Sequence, residues 1–163
     1  VVLCAAGPDR YKNVQETIQA VSRLEGVSLL VMGGGPETRE MGARLLGARF
    51  RQATAPHDQM PAIFNSADLF TLVSESSEAF GVVYLEAMAC NLPVVATDDE
   101  LRRGIVGNAG LYVEDPHDIE GYSRTLAAAL AAEWGDLPRK QAEKFNWAEI
   151  ARRYEMEFKV LTK

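Results

Sequence analysis

Short apolar runs alternate with amphipathic helical stretches along this chain, and that alternation limits the fold more than any other feature. Val1–Ala5 reads as a strand. Asn13-Val14-Gln15-Glu16 fits a capping box, with Asn13 as N-cap and Glu16 at the third helical position. Val14, Ile18, Val21 and Leu24 extend it as a helical stripe that Gly26 stops. Val27–Met32 is a second strand running into Gly33-Gly34-Gly35-Pro36. Residues 37–46 read as a helix, 48–51 as a short strand, and Met60, Ile63 and Phe64 as another short helix. Leu69–Val73 is a fourth strand, followed by a helix from about Phe80 to Cys90 that Asn91 and Pro93 end. Val94–Thr97 and Leu111–Val113 are the last strands. Residues 117–134 and 136–161 are helical, with a break near Gly135.

Alternation of this kind gives an α/β fold, a parallel sheet covered by helices on both faces. About six strands suit a Rossmann-like, doubly wound sheet in the order 3-2-1-4-5-6. Strands 1 and 4 are then neighbours at the topological switch point, where the loops that follow them open a crevice. Those loops are Ala6–Lys12 and Ser74–Ala79, so Lys12 and Glu78 are expected on one rim.

The 163 residues favour one domain, residues 1–163. A chain of this length buries roughly 70% of its unfolded surface and needs no disulfide or metal to fold. Two cysteines, Cys4 and Cys90, without a short motif indicate buried thiols in a reducing compartment. A net charge of −6 with scattered basic residues argues against a nucleic-acid partner. No apolar run approaches the length of a membrane span. The chain opens on Val1 in a strand-like run without a signal peptide, and is expected to be a piece of a longer protein.

The chemistry concentrates in Ser77-Glu78-Ala79-Phe80-Gly81-Val82-Val83-Tyr84-Leu85-Glu86. Glu78 falls in the loop and Glu86 on the flank of the helix. A helix N-terminus offers unpaired N–H groups and partial positive charge, which suit a phosphate. Carboxylates on either side can accept hydrogen bonds from sugar hydroxyls. Gly81, lacking a Cβ, permits close approach of the backbone. By spacing alone, Glu86 also fits a solvated helix glutamate and Glu78 a residue favoured by the macrodipole.

Asp98-Asp99-Glu100 looks like a metal-binding cluster, but carboxylates just after a strand more often cap the next helix. His57 and His117 sit in polar loops without ligand partners at useful spacing. Gly33-Gly34-Gly35 lacks the dinucleotide-binding spacing, and no Gly-Lys-Ser/Thr follows it.

Taken in order, these pieces resemble the nucleotide-sugar site of the retaining, GT-B fold glycosyltransferases of group 1, which carry an E-x7-E motif. The resemblance rests on Lys12-Asn13, Gly33-Gly34-Gly35-Pro36, Ala67-Asp68-Leu69-Phe70, Glu78 through Thr97, and Phe145-Asn146-Trp147. It covers nearly the whole chain but only the C-terminal half of such an enzyme. The chain is thereby expected to bind the donor, with the acceptor-binding N-terminal domain absent. This half alone is expected to be inactive.

The resemblance implies a role for each residue. Glu78 contacts the donor sugar and is the expected catalytic group. It orients the sugar and stabilises charge at the anomeric carbon rather than attacking it. Glu86, about 9 Å from the expected helix start, holds the ribose hydroxyls. Phe80, Gly81 and Val82 offer backbone N–H groups. Lys12 neutralises the diphosphate in place of a metal. Gln52 and Ala53 meet the base through backbone groups, which do not separate UDP from GDP sugars. Two departures stand out: Gly7 occupies the position of the family's usual arginine, with Arg10 nearby, and Gly104 that of a usual glutamate.

The implied activity is sugar transfer in glycan biosynthesis, retaining and metal-independent, with no cofactor. The expected location is cytoplasmic, with any membrane association made through the missing domain. Two other readings stay open: a non-catalytic nucleotide-binding or interaction module of the same fold, and an epimerase-like relative.

Overall fold

The apolar runs form strands β1 (Val2–Ala6), β2 (Leu29–Gly33), β3 (Phe50–Ala53), β4 (Leu69–Leu72), β5 (Val94–Thr97) and β6 (Gly110–Val113). The computed structural model describes residues 1–75 and 80–161. All five pairings are parallel, and the order is β3-β2-β1-β4-β5-β6, the doubly wound order expected. The central strands are buried on both faces, which is why they read as continuous apolar runs. Val2, Leu3, Cys4, Leu69, Phe70, Val94, Val95 and Ala96 are all fully buried.

The helices are α1 (Val14–Ser22), α2 (Pro36–Leu46), α3 (Met60–Phe64), α4 (Val82–Ala89), α5 (Glu100–Val106), α6 (Ile119–Ala131), α7 (Leu137–Glu143) and α8 (Trp147–Leu161). Helix α1 packs against α2 and α6, whereas α4 packs against α3, α5 and α7. The two groups cover the two faces of the sheet. The stretch expected as one helix over 136–161 is divided at Phe145-Asn146, because the Asn146 Oδ1 accepts from the Ala148 N–H at 2.8 Å and starts α8 afresh.

The expected capping box at Asn13 does not form. Asn13 takes a left-handed conformation (φ 50°) and its side chain makes no cap hydrogen bond. The side chain is buried and donates instead to the Val73 carbonyl at 2.8 Å. Glu16 turns to His117, at 3.5 Å.

A buried hydroxyl cluster ties α1 and α6 to the sheet's centre. The Tyr122 hydroxyl on α6 lies 3.0 Å from Thr17 Oγ1 on α1 and 2.6 Å from Thr71 Oγ1 on β4. Thr71 in turn donates to the Val95 carbonyl at 3.1 Å. Tyr122→Phe removes a group that both threonines face. Chemical denaturation should find it less stable by about 1–2 kcal/mol.

Cys4 sits in this core. Burial pushes its thiol up to about 12, only partly opposed by the Lys12 charge. Above pH 9 the unfolded chain releases this proton while the folded chain keeps it. Stability is therefore full below pH 9 and falls as pH rises toward 12, by about 1.4 kcal/mol per unit for one group. Denaturation between pH 8.5 and 10.5 should show that slope, and Cys4→Ala should flatten it.

Candidate functional site

Strands β1 and β4 are neighbours, so the loops leaving their C-terminal ends share one rim. Hydrogen bonds stitch those loops together. The Glu75 N–H donates to the Tyr11 carbonyl at 2.8 Å, and Asn13 reaches Val73 from the other loop. Lys12 ends a short 3-10 turn over Arg10–Lys12. It is half-buried, with its ammonium 4.8 Å from the centre of the Tyr11 ring. Glu78, expected on this rim, lies outside the described residues, but Glu75 three positions before it is in place.

Helix α4 begins at Val82, because Gly81 before it adopts φ 76° in the left-handed region. No side chain caps this start. The Val82 and Val83 amides precede any intrahelical acceptor, so the mouth carries N–H groups and the positive end of the helix dipole. The Tyr84 ring backs Gly81 closely: a Cβ there would come within 2.4 Å of it. The Tyr84 hydroxyl is anchored in turn to the Leu72 carbonyl at 2.8 Å. The Phe80 side chain packs edge-on against Phe145, with centroids 6.4 Å apart, leaving its backbone for any ligand.

The later helix start moves Glu86. It stands about 6 Å along α4, one turn in rather than two. Its Oε1 lies 3.6 Å from His57 Nε2, a partner from the segment after β3. Glu86 also borders a groove of about 1260 Å³ walled by Phe80, Val82, Leu85, Trp147 and Tyr154. Nearby, burial pushes the Cys90 thiol up; Arg139 opposes this and the Glu86 charge adds to it.

The remaining expected residues occupy two smaller, adjoining concavities. Gln52 and Ala53, which close β3 rather than follow it, border one of about 590 Å³ with Gly33, Gly34 and Arg39. Gly7 and Arg10 border another of about 620 Å³ with Asp9, Glu16, Glu37 and Glu75. Gly35 and Pro36 belong to both. The Gln52 side chain is a staple, its Nε2 donating to the Gly33 carbonyl at 2.7 Å and the Gly35 carbonyl at 3.2 Å. The Gly7 crevice is rich in carboxylates, a setting that disfavours an anion.

Residues 1–147 match the family model described as glycosyl transferases group 1. The chain belongs to this family. It is 32% identical over 145 residues to a D-inositol 3-phosphate glycosyltransferase of Mycolicibacterium smegmatis, covering 80% of this chain and 33% of the relative. It is 32% identical over 167 residues to the alpha-maltose-1-phosphate synthase of the same organism, covering 87% and 43%. Among solved structures it resembles sucrose-phosphate synthase from Thermosynechococcus elongatus, with TM-score 0.81, 25% identity, and 99% and 45% of the two chains covered. The pneumococcal O-GlcNAc transferase in complex with UDP and GlcNAc gives TM-score 0.79 at 18% identity, covering 99% and 35%. The chain thus spans less than half the length of these relatives.

In this group 1 chain the helix cap expected of the acidic run is seen, and the two histidines gain partners that the sequence does not signal. The acidic run Asp98-Asp99-Glu100 is committed to capping and pairing. Asp99 caps α5 through the Arg102 N–H at 2.8 Å. Asp98 takes a two-point ion pair from Arg103 at 2.5 and 2.6 Å, and that hydrogen-bonded guanidinium holds its carboxyl below the usual range. His57 and His117 each face a glutamate distant in sequence, a pairing no local spacing signals. Gly104, standing for the family's glutamate, is exposed, with open space where a side chain would project. Among the described residues, no three His, Cys, Asp or Glu side chains gather as metal ligands. Among the described residues no helix is long and apolar enough to cross a membrane.

Gly81→Ala confronts both the left-handed backbone and the Tyr84 ring. The substitution should cost about 2 kcal/mol or more in denaturation experiments, against a few tenths of a kcal/mol for an exposed surface substitution such as Arg124→Ala.

Proposed function

We propose that this chain is the donor-binding half of a retaining, metal-independent glycosyltransferase that moves a sugar from a nucleoside diphosphate to an acceptor. The observation that carries the reading is the uncapped α4 mouth at Gly81, which follows β4, the strand paired with β1, whose own loop bears Lys12. Family membership supplies the reaction class. The relatives include a D-inositol 3-phosphate glycosyltransferase and an alpha-maltose-1-phosphate synthase, and a neighbour of the same fold was solved with UDP and GlcNAc.

In this reading the diphosphate lies against the Val82 and Val83 amides. Lys12, helped by Arg10 in place of the guanidinium missing at Gly7, offsets the charge of the departing nucleoside diphosphate. The Glu86 carboxylate accepts hydrogen bonds from the ribose, and the base lies near Ala53. Glu78 contacts the sugar and favours positive charge at the anomeric carbon. The acceptor would be held by an N-terminal domain of the same protein. The apolar groove beside α4 and α8 is a surface that such a domain would cover, since the relatives are more than twice this chain's length. A cytoplasmic location fits two free thiols, one of them buried. The departures at Gly7 and Gly104 favour a second reading, a nucleotide-binding module of this family without turnover.

Titrating UDP and GDP against the chain while following thermal unfolding tests the donor site. A nucleotide at 100 times its Kd should add about 2.7 kcal/mol of stability, and excess EDTA should leave the shift intact. Glu86→Ala should remove most of it. No shift with either nucleotide up to millimolar concentration would overturn the donor-site reading. A shift abolished by EDTA would overturn its metal-independent part.

A further inference from the structure

Glu86 shares a face of α4 with Cys90, one turn further on, and both turn toward the segment 57–61. His57 Nε2 lies 3.6 Å from Glu86 Oε1, and Cys90 Sγ donates to the Pro61 carbonyl at 3.9 Å. That segment is held firmly. Residues His57–Gln59 form a 3-10 turn, closed by the Gln59 N–H on the Pro56 carbonyl at 3.0 Å, and the turn runs straight into α3. Pro56 and Pro61 restrict the backbone before and after it. Phe64 on α3 is buried edge-on against Phe70 of β4, whose ring in turn meets Tyr84 of α4 edge-on. His57 is therefore carried on a scaffold anchored to the same helix as Glu86. With 83% of its side chain exposed, His57 fills no space in the core, so packing does not account for it. Ala53, expected to meet the base, closes β3 only four positions earlier.

We propose that His57 is a positioning residue for recognition of the donor's ribose. The inference rests on the donor-site reading and deepens it. A glutamate side chain is long and rotamer-rich, and a half-buried carboxylate without a partner samples several orientations. A proton on Nε2 attracts Oε1 in the imidazolium and in the neutral Nε2–H tautomer alike. Oε2, with its own lone pairs, is left for the ribose hydroxyls. The carboxylate is drawn toward the segment that leaves β3, so base and ribose contacts are set from residues 53–57 together rather than from α4 alone. An exposed pair of this kind is weak. Its effect is a bias on orientation, expressed as selectivity for the ribose hydroxyls rather than as a large share of the total affinity.

Calorimetric titration of the chain with UDP, GDP and their 2′,3′-dideoxy forms tests it. The quantity read is the ratio of dideoxynucleotide Kd to ribonucleotide Kd for whichever base binds. Glu86→Ala should bring that ratio close to one. His57→Ala should lower it about threefold, with the Kd of the dideoxy form changed less than about 1.5-fold. His57→Gln, whose amide nitrogen can stand where Nε2 does, should restore most of the wild-type ratio. The double variant of His57→Ala with Glu86→Ala should match Glu86→Ala alone, because the histidine acts only through that carboxylate. Equal weakening of both forms by His57→Ala would mark a contact with the base or the fold and overturn the proposal. A ratio raised by His57→Ala would mean that the histidine competes for the carboxylate, and would overturn it too. An unchanged ratio in His57→Ala, beside a lowered one in Glu86→Ala, would remove the positioning role and leave the donor site standing. A ratio unmoved by Glu86→Ala would remove the ribose contact and this inference with it. Wild-type chain that binds no nucleotide would remove the whole donor-site reading.

Discussion

The parallel pairing of β1 with β4 is the constraint on which the rest depends. It places two loops that leave in diverging directions side by side at one edge of the sheet. Lys12 ends a turn in the first, and the second leads to the mouth of α4. The pairing is reinforced beyond the strands themselves, by Glu75 bonded to Tyr11 and Asn13 bonded to Val73. A rim built this way is held by backbone and by buried amides. Its geometry therefore does not depend on exposed ion pairs, which contribute little in water.

Around that rim the chain holds several costly local choices, and each is compensated by packing. Gly81 adopts a left-handed conformation against the Tyr84 ring. Asn13, not a glycine, does the same and gains a buried hydrogen bond to β4. Arg102 is desolvated and gains three acceptors. These choices fall on the residues that flank or face the proposed donor site, while the sheet centre beneath is apolar save for the Tyr122 hydroxyl cluster. Departures from local preference collect at functional edges in this way because a position is being specified there.

The alternation of apolar runs made the strand order legible from sequence, since continuous buried strands separated by helical stripes leave few parallel arrangements. The helix that follows β4 was legible as well, because Gly81 stands just before an apolar run. Other features depend on partners far away in the chain. Asn13 looks like a helix cap until β4 offers it the Val73 carbonyl. His57 looks unpartnered until α4 brings Glu86 to it. Arg102, in the run after β5, looks like one more surface charge until the β4 exit closes over it. The division near Asn146 was missed because a good helix former on either side outweighs a single capping residue in any local window. The placement of Glu86 one turn into its helix followed from a conformation at Gly81 that the sequence permits but does not demand.

The most direct test of the central claim is an amide-resolved NMR titration of the chain with UDP and with GDP. The expected result is saturable shifts at Val82, Val83, Lys12 and Ala53 with one of the two nucleotides. Shifts confined to the apolar groove around Trp147 and Tyr154, with the α4 mouth silent, would contradict a diphosphate seated at the helix start.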